Sequence, residues 1–330
     1  MAIIDNFTQI IGKHCETTAT NALLRHIGIE VSEPMLFGIG QGLSFIYWDM
    51  KTMEFPFLGG RNKQFQITRN FCDTMGLHLD VKVTTSIKKA WKNVKENIDQ
   101  GIPVGLQLDF FYLDYVTEKT HFGGHFVAMY GYDEVYGYLV DTANANYNNG
   151  EGKATLKNIE LARSEKGPMA PKNLSYTITR GTNEEKIENI LLKAIKANAE
   201  TYLKPPIKNI SYQGIIKTAE KLPNLLKSGK NIEKNFKLTA RLMESGGTGG
   251  SIFRNIYRDF LKESYDMLGL DILKKSYEEF CEIATMWKRV IDIFESIKKT
   301  DGVDKILAAS TILKEIAHKE KETFEMLKTL

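Results

Sequence analysis

The chain predicts an α+β domain built on an antiparallel sheet, followed by an all-helical domain, and three observations carry that expectation. Glycine-separated apolar runs such as HFVAMYGYDEVYGYLVDTA read as hairpin strands. Amphipathic segments of helical period stand between such runs in the first half. From residue 183 glycine becomes scarce and Lys, Glu, Leu and Ile recur helically, as in NEEKIENILLKAIKANAETYL. The boundary therefore falls between a sheet domain over 1–182 and a helical domain over 183–330. A chain of 330 residues that is 42% hydrophobic can bury a substantial core in each.

The first element of consequence spans residues 9–28. After Cys15, the residues Ala19, Ala22, Leu23 and Ile27 recur at helical spacing while Glu16, Thr17, Thr20 and Arg25 face elsewhere, which predicts a helix starting near Cys15 and closing at Gly28. A thiol at a helix N-terminus meets unpaired amides and the positive end of the macrodipole, and both favour the nucleophilic thiolate. Gln9 stands six residues upstream, with Gly12 between to turn the chain, so its amide is a candidate oxyanion donor. Glu16 opposes this, since a carboxylate beside a thiolate disfavours its charge.

Residues 35–57 are punctuated by Gly38, Gly40 and Gly42 and carry Phe45, Tyr47 and Trp48. Without a trailing lysine and a flanking strand and helix, the glycines read as tight turns and not as a phosphate loop. A short helix is expected over 70–77, a strand over 79–84, and a helix over 86–100 capped by Ser86 and closed by Gly101. Two strand regions follow Pro103. His125 opens one strand and Asp141 ends the next, so an antiparallel hairpin brings imidazole and carboxylate together. Asp141 then holds the ring's tautomer and its other nitrogen faces Cys15. His121 is a rival base in a less rigid loop, and Asp133 reads as a turn residue.

In the second half Pro205 and Pro206 end one helix, and amphipathic helices are expected over 215–228, 231–244 and 253–268. The glycine loop 246–250, within SGGTGGSIFRNIYRDF, precedes a helix whose first turn is open to an anion, with Arg254 and Arg258 after it. Trp287 reads as a core aromatic.

Composition excludes several classes. Residues 1–182 hold 18 Lys+Arg against 19 Asp+Glu and residues 183–330 hold 26 against 22, charges of −1 and +4, too slight for a nucleic-acid surface. Three cysteines without paired spacing argue against a disulfide framework and a zinc site, and no metal or cofactor is expected. No signal segment or membrane span is legible, so a cytoplasmic protein without membrane or nucleic-acid partners is expected.

The stretches GKHCETTATNALLRHIGIEVSEPMLFGIGQGLSFIYW, GIPVGLQLDFFYLDY, HFGGHFVAMYGYD, LVDTA and GGTGGSIFRNIYRDFL together resemble the butirosin biosynthesis protein H family of papain-like acyltransferases. The resemblance implies a papain-like cysteine protease fold with a helical C-terminal domain over the cleft, Cys15 as nucleophile, His125 as base, Asp141 as its orienting partner and Gln9 at the oxyanion. It departs from the papain pattern in that His14 and Glu16 flank the cysteine. It also implies an acyl or peptidyl donor on a carrier-protein phosphopantetheine thioester and an amine acceptor in antibiotic assembly, the donor including nonribosomal or polythioamide-type chains. Arg254, Tyr257, Tyr47 and Trp48 are the candidate substrate-binding side chains. Two other chemistries fit the same residues: a cysteine peptidase or amidase with water as acceptor, and a binding protein in which Cys15 is inert.

Overall fold

The structure, a computed structural model, describes the chain except for residues 6, 9, 52, 118, 143–149, 168, 183–184, 229–230 and 299. It has two compact units, Met1–Leu36 with Ile67–Glu184, and Phe37–Gln66 with Glu185–Leu330.

The first unit is α+β. Its elements are β1 (Ala2–Ile3), α1 (Cys15–His26), α3 (Gln66–Met75), β4 (His78–Lys82), α4 (Ile87–Ile98), β5 (Val104–Leu108), β6 (His125–Tyr132), β7 (Tyr136–Val140), β8 (Glu151–Thr155), α5 (Leu156–Ser164) and β9 (Ser175–Thr179). α2 (Glu33–Ile39), β2 (Leu43–Trp48) and β3 (Phe57–Arg61) intervene after α1. The sheet runs β4-β9-β5-β6-β7-β8, with β1 also on β6, and every pairing is antiparallel. Ser86 caps α4 by accepting from the Lys89 amide, and Gly101 closes that helix at φ +77°, as its sequence requires. Side chains alternate across β5. Val104, Leu106 and Leu108 join Val94 and Ile98 of α4 and Ile159 and Ala162 of α5 in one apolar cluster. Gly105, on the opposite face, leaves room for the Tyr176 ring. The Tyr176 hydroxyl in turn meets Thr20 of α1 at 3.2 Å, which ties the helix to the sheet.

The second unit holds the β2–β3 hairpin and α6 (Ile187–Leu203), α7 (Ser211–Ser228), α8 (Ile232–Ser245), α9 (Arg254–Leu268), α10 (Asp271–Ser296) and α11 (Gly302–Leu327). Residues 37–66, assigned by sequence to the sheet domain, belong with the helices. The reason is packing: β2 lies on α7 and α6, β3 on α8, and Phe45 of β2 stacks on Trp287 of α10. Two expected helices begin earlier than read, at Gln66 and Ser211. No helix among the described residues is long and apolar enough to cross a membrane.

Gly105 gives a test of the α1–sheet tie. A Cβ there would fall 2.1–2.7 Å from Tyr176 ring atoms. Gly105→Ala is therefore expected to cost about 1–3 kcal/mol by overpacking, read as a lowered denaturant midpoint. An unchanged midpoint would show that the ring can yield.

Candidate active site

His14 precedes α1 in an extended conformation, and the Thr18 hydroxyl donates to its carbonyl oxygen at 2.7 Å. Ahead of the helix the amides of Lys13 and His14 donate to the Glu33 carboxylate, as does Thr17 Oγ1 at 2.7 Å. These bonds hold Cys15 in the first turn. Glu16 is wholly buried, yet its carboxylate accepts from the amide and hydroxyl of Thr68, at 3.1 and 3.2 Å, in the first turn of α3. Its charge is thus met by the positive end of a second helix.

His125 opens β6, and Asp141 directly follows β7. His125 Nε2 lies 2.8 Å from Asp141 Oδ2, and both residues are buried. The hairpin makes this contact through a β-bulge. From the turn the register runs Tyr132↔Gly137 and Gly131↔Tyr138, then shifts to Met129↔Leu139 and Ala128↔Val140. One more step places Asp141 opposite Val127, on the face that His125 shares. Had the turn's register continued, Asp141 would stand opposite Ala128 and point away.

His125 is the first residue of its strand, so its ring sits at the rim of the sheet, edge-on to Phe110 at 5.0 Å. It also hydrogen-bonds Cys15. With Nε2 on Asp141, Nδ1 is the nitrogen left for the sulfur. Burial opposes the ring's charge, but the Asp141 carboxylate and Cys15 outweigh it, and the imidazole is raised to about 10. The Asp141 Oδ1 accepts from the Thr142 amide at 2.6 Å, and its Oδ2 also accepts from the Tyr115 hydroxyl at 2.8 Å. Cys72, the other buried thiol, is pushed up to about 12 by burial and Asp73.

Residues 14–142 match the family model described as "Butirosin biosynthesis protein H, N-terminal". The chain belongs to the butirosin biosynthesis protein H family. That match encloses Cys15, His125 and Asp141. Residues 157–327 match a second model, "Domain of unknown function (DUF4872)". No curated protein matches the chain.

Against this family background the remaining site candidates divide. Gln9 lies outside the described residues. His121 bonds Asp109 at 3.2 Å and stacks on Phe111, while His125 meets both Cys15 and Asp141. Arg254 is corrected to a core residue: fully buried, it gives Nε and Nη2 to Glu320 at 2.8 and 2.9 Å and Nη1 to the Ile252 carbonyl. Glu320 also accepts from Trp287 Nε1 at 2.9 Å and from the Tyr202 hydroxyl. Four helices meet on that carboxylate, so the guanidinium is committed. The open helix start expected after the glycine loop is closed as well. Ser251, Ile252 and Phe253 adopt left-handed φ of 48°, 47° and 74°, and the Ser251 amide donates to Glu244. Tyr257 is a core aromatic packed on Phe260, Phe280 and Phe324, and Tyr47 is buried with its hydroxyl on Asp49. Trp48 is half-buried on β2.

Sequence reading missed Tyr115, Phe110, Glu33 and Thr68. None has a spacing relation to Cys15 or Asp141, since each is brought in by folding alone. The Ser-Glu-Pro step at 32–34 was a legible helix start, but not its reach to a second helix.

Two outcomes are expected. In Cys15→Ala the sulfur no longer supports the imidazolium, so the His125 pKa should fall below about 10, measured by NMR titration of the ring; an unmoved value would separate the two residues. Arg254→Met leaves the Glu320 charge buried and uncompensated and should cost about 3–5 kcal/mol, read by urea unfolding. A loss under 1 kcal/mol would show water reaching Glu320.

Proposed function

We propose that this protein is an amide-forming acyltransferase of antibiotic or related natural-product biosynthesis, working through an acyl-enzyme on Cys15. The observation that carries the reading is the chain of contacts Cys15–His125–Asp141 within the first unit. Family membership supports a biosynthetic role, the family's description naming butirosin biosynthesis.

In this mechanism the Cys15 sulfur attacks the carbonyl carbon of an acyl or peptidyl thioester on a carrier protein's phosphopantetheine arm. The oxyanion is met by amides at the start of α1, with Gln9 proposed as a further donor. Collapse expels the carrier thiolate, which takes the proton from His125, and leaves an acyl-cysteine thioester. An amine then attacks, His125 accepts its proton, and the Cys15 sulfur departs as the amide forms. The His125 ring suits both steps. While the sulfur is charged the imidazolium is favoured, and acylation removes that charge and so favours the neutral ring that can accept the amine's proton. We assign Asp141 to orienting the ring and the catalytic role to the unit that holds Cys15, His125 and Asp141. The protein works in the cytoplasm.

The test is intact-protein mass spectrometry after incubation with a panel of acyl thioesters, with and without diamines. The expected result is an adduct on the wild type, absent from Cys15→Ala, that amine discharges faster than water. Discharge by water alone would convert the reading to a cysteine hydrolase, and no adduct with any thioester would falsify it.

A further inference from the structure

One hydroxyl lies against the proposed triad from outside both strands that build it. Tyr115 stands in the segment between the 3-10 turn at 110–112 and β6, and its hydroxyl donates at 2.8 Å to Asp141 Oδ2, the same oxygen that His125 Nε2 meets at 2.8 Å. The other oxygen, Oδ1, is held by the Thr142 amide and hydroxyl at 2.6 and 3.3 Å. The carboxylate is thus fixed from both ends, and Tyr115 is the contact that fixes the end facing the imidazole.

The ring itself has a seat. Gly152 of β8 pairs with Leu139 of β7, two residues before Asp141, and a Cβ on Gly152 would fall 2.7 to 3.0 Å from Tyr115 ring atoms and hydroxyl. The absence of a side chain at Gly152 lets the aromatic ring lie close over β8 with its hydroxyl at the strand end. Tyr115 also packs against the apolar cluster under β6 and β7, so its hydroxyl is delivered by a ring with little freedom.

Resting on the acyl-enzyme reading above, we propose that Tyr115 is a positioning residue. It pins Asp141 Oδ2 on His125 Nε2, so that the imidazole keeps its Nδ1 toward Cys15. It acts through the carboxylate. Without Tyr115, Oδ2 would be held only by the ring it has to aim, and rotation of the carboxylate about its Cβ–Cγ bond would carry that ring off the thiol.

The test needs no natural substrate. Iodoacetamide alkylates the Cys15 sulfur with loss of iodide, and peptide mass spectrometry reads its rate at pH 7 against that of Cys72, which is buried and pushed up to about 12. Tyr115→Phe keeps the ring on Gly152 and removes only the donor, and should slow Cys15 alkylation about tenfold, as the loss of a hydrogen bond to a charged group warrants. Gly152→Ala keeps the hydroxyl but displaces the ring, and should slow it similarly. In an Asp141→Ala background, where no carboxylate remains, Tyr115→Phe should add nothing, a pattern that a merely structural residue would not give. An undiminished rate in Tyr115→Phe, or an equal slowing with and without Asp141, overturns the proposal while leaving the nucleophile intact. A wild-type Cys15 no faster than Cys72 overturns this inference and the acyl-enzyme reading together.

Discussion

The candidate site depends on a one-residue irregularity in a hairpin. Side chains alternate across a strand, so a register set at the β6–β7 turn decides which residues can share a face far from it. That turn sets a register in which Asp141 and His125 belong to opposite faces. The bulge between Met129 and Gly131 adds one residue to β6 and reverses the parity. Everything downstream of the bulge, from Leu139 in the apolar cluster to Asp141 beside His125, follows from that shift. The apolar cluster reinforces it. Val127, Met129 and Leu139 are buried on the same face only in the shifted register, so hydrophobic burial and the acid–imidazole contact favour the same pairing.

The helix that presents Cys15 is positioned by two acids that a charge-based reading would treat as adverse. Glu33 takes the amides ahead of α1, and Glu16 takes the first-turn donors of α3. Each carboxylate is placed at the end of a helix where a negative charge is favourable. A buried acid next to a thiol looks damaging when only its sequence neighbour is considered. Its side chain, however, leaves α1 for a different partner, and the Thr20–Thr68 bond at 2.8 Å keeps the two helices together at that point.

Local physics made much of this legible. The Cys15 helix, its stop at Gly28, the Ser86 cap and the His125–Asp141 hairpin rest on periodicity, caps and alternation, which act over a few residues. What was not legible is what only tertiary folding decides. The sequence shows that 35–57 is apolar and rich in glycine, but not that its hairpin joins the helices that begin at Ile187. Small strands such as β8, with the sequence EGKAT, carry almost no signal of their own and exist because β7 offers an edge. The bulge is invisible for the same reason, since no residue in VAMYGY demands it.

Arg254 was misread because arginine after a glycine loop has two physical meanings, and the difference lies in what else converges there. Compared with His125–Asp141, its pair with Glu320 shows why one buried ion pair is structural and the other suits chemistry. Around Glu320 both carboxylate oxygens and three guanidinium nitrogens have partners within the helical unit, and none of those partners exchanges protons near neutrality. Any movement there would strand a charge, so the pair can only hold the helices in register. Around Asp141 the carboxylate is equally well held, but the imidazole keeps one nitrogen for a thiol, and that contact joins two groups that can trade a proton. Fixing every partner except the one that must change is what separates a scaffold contact from a site.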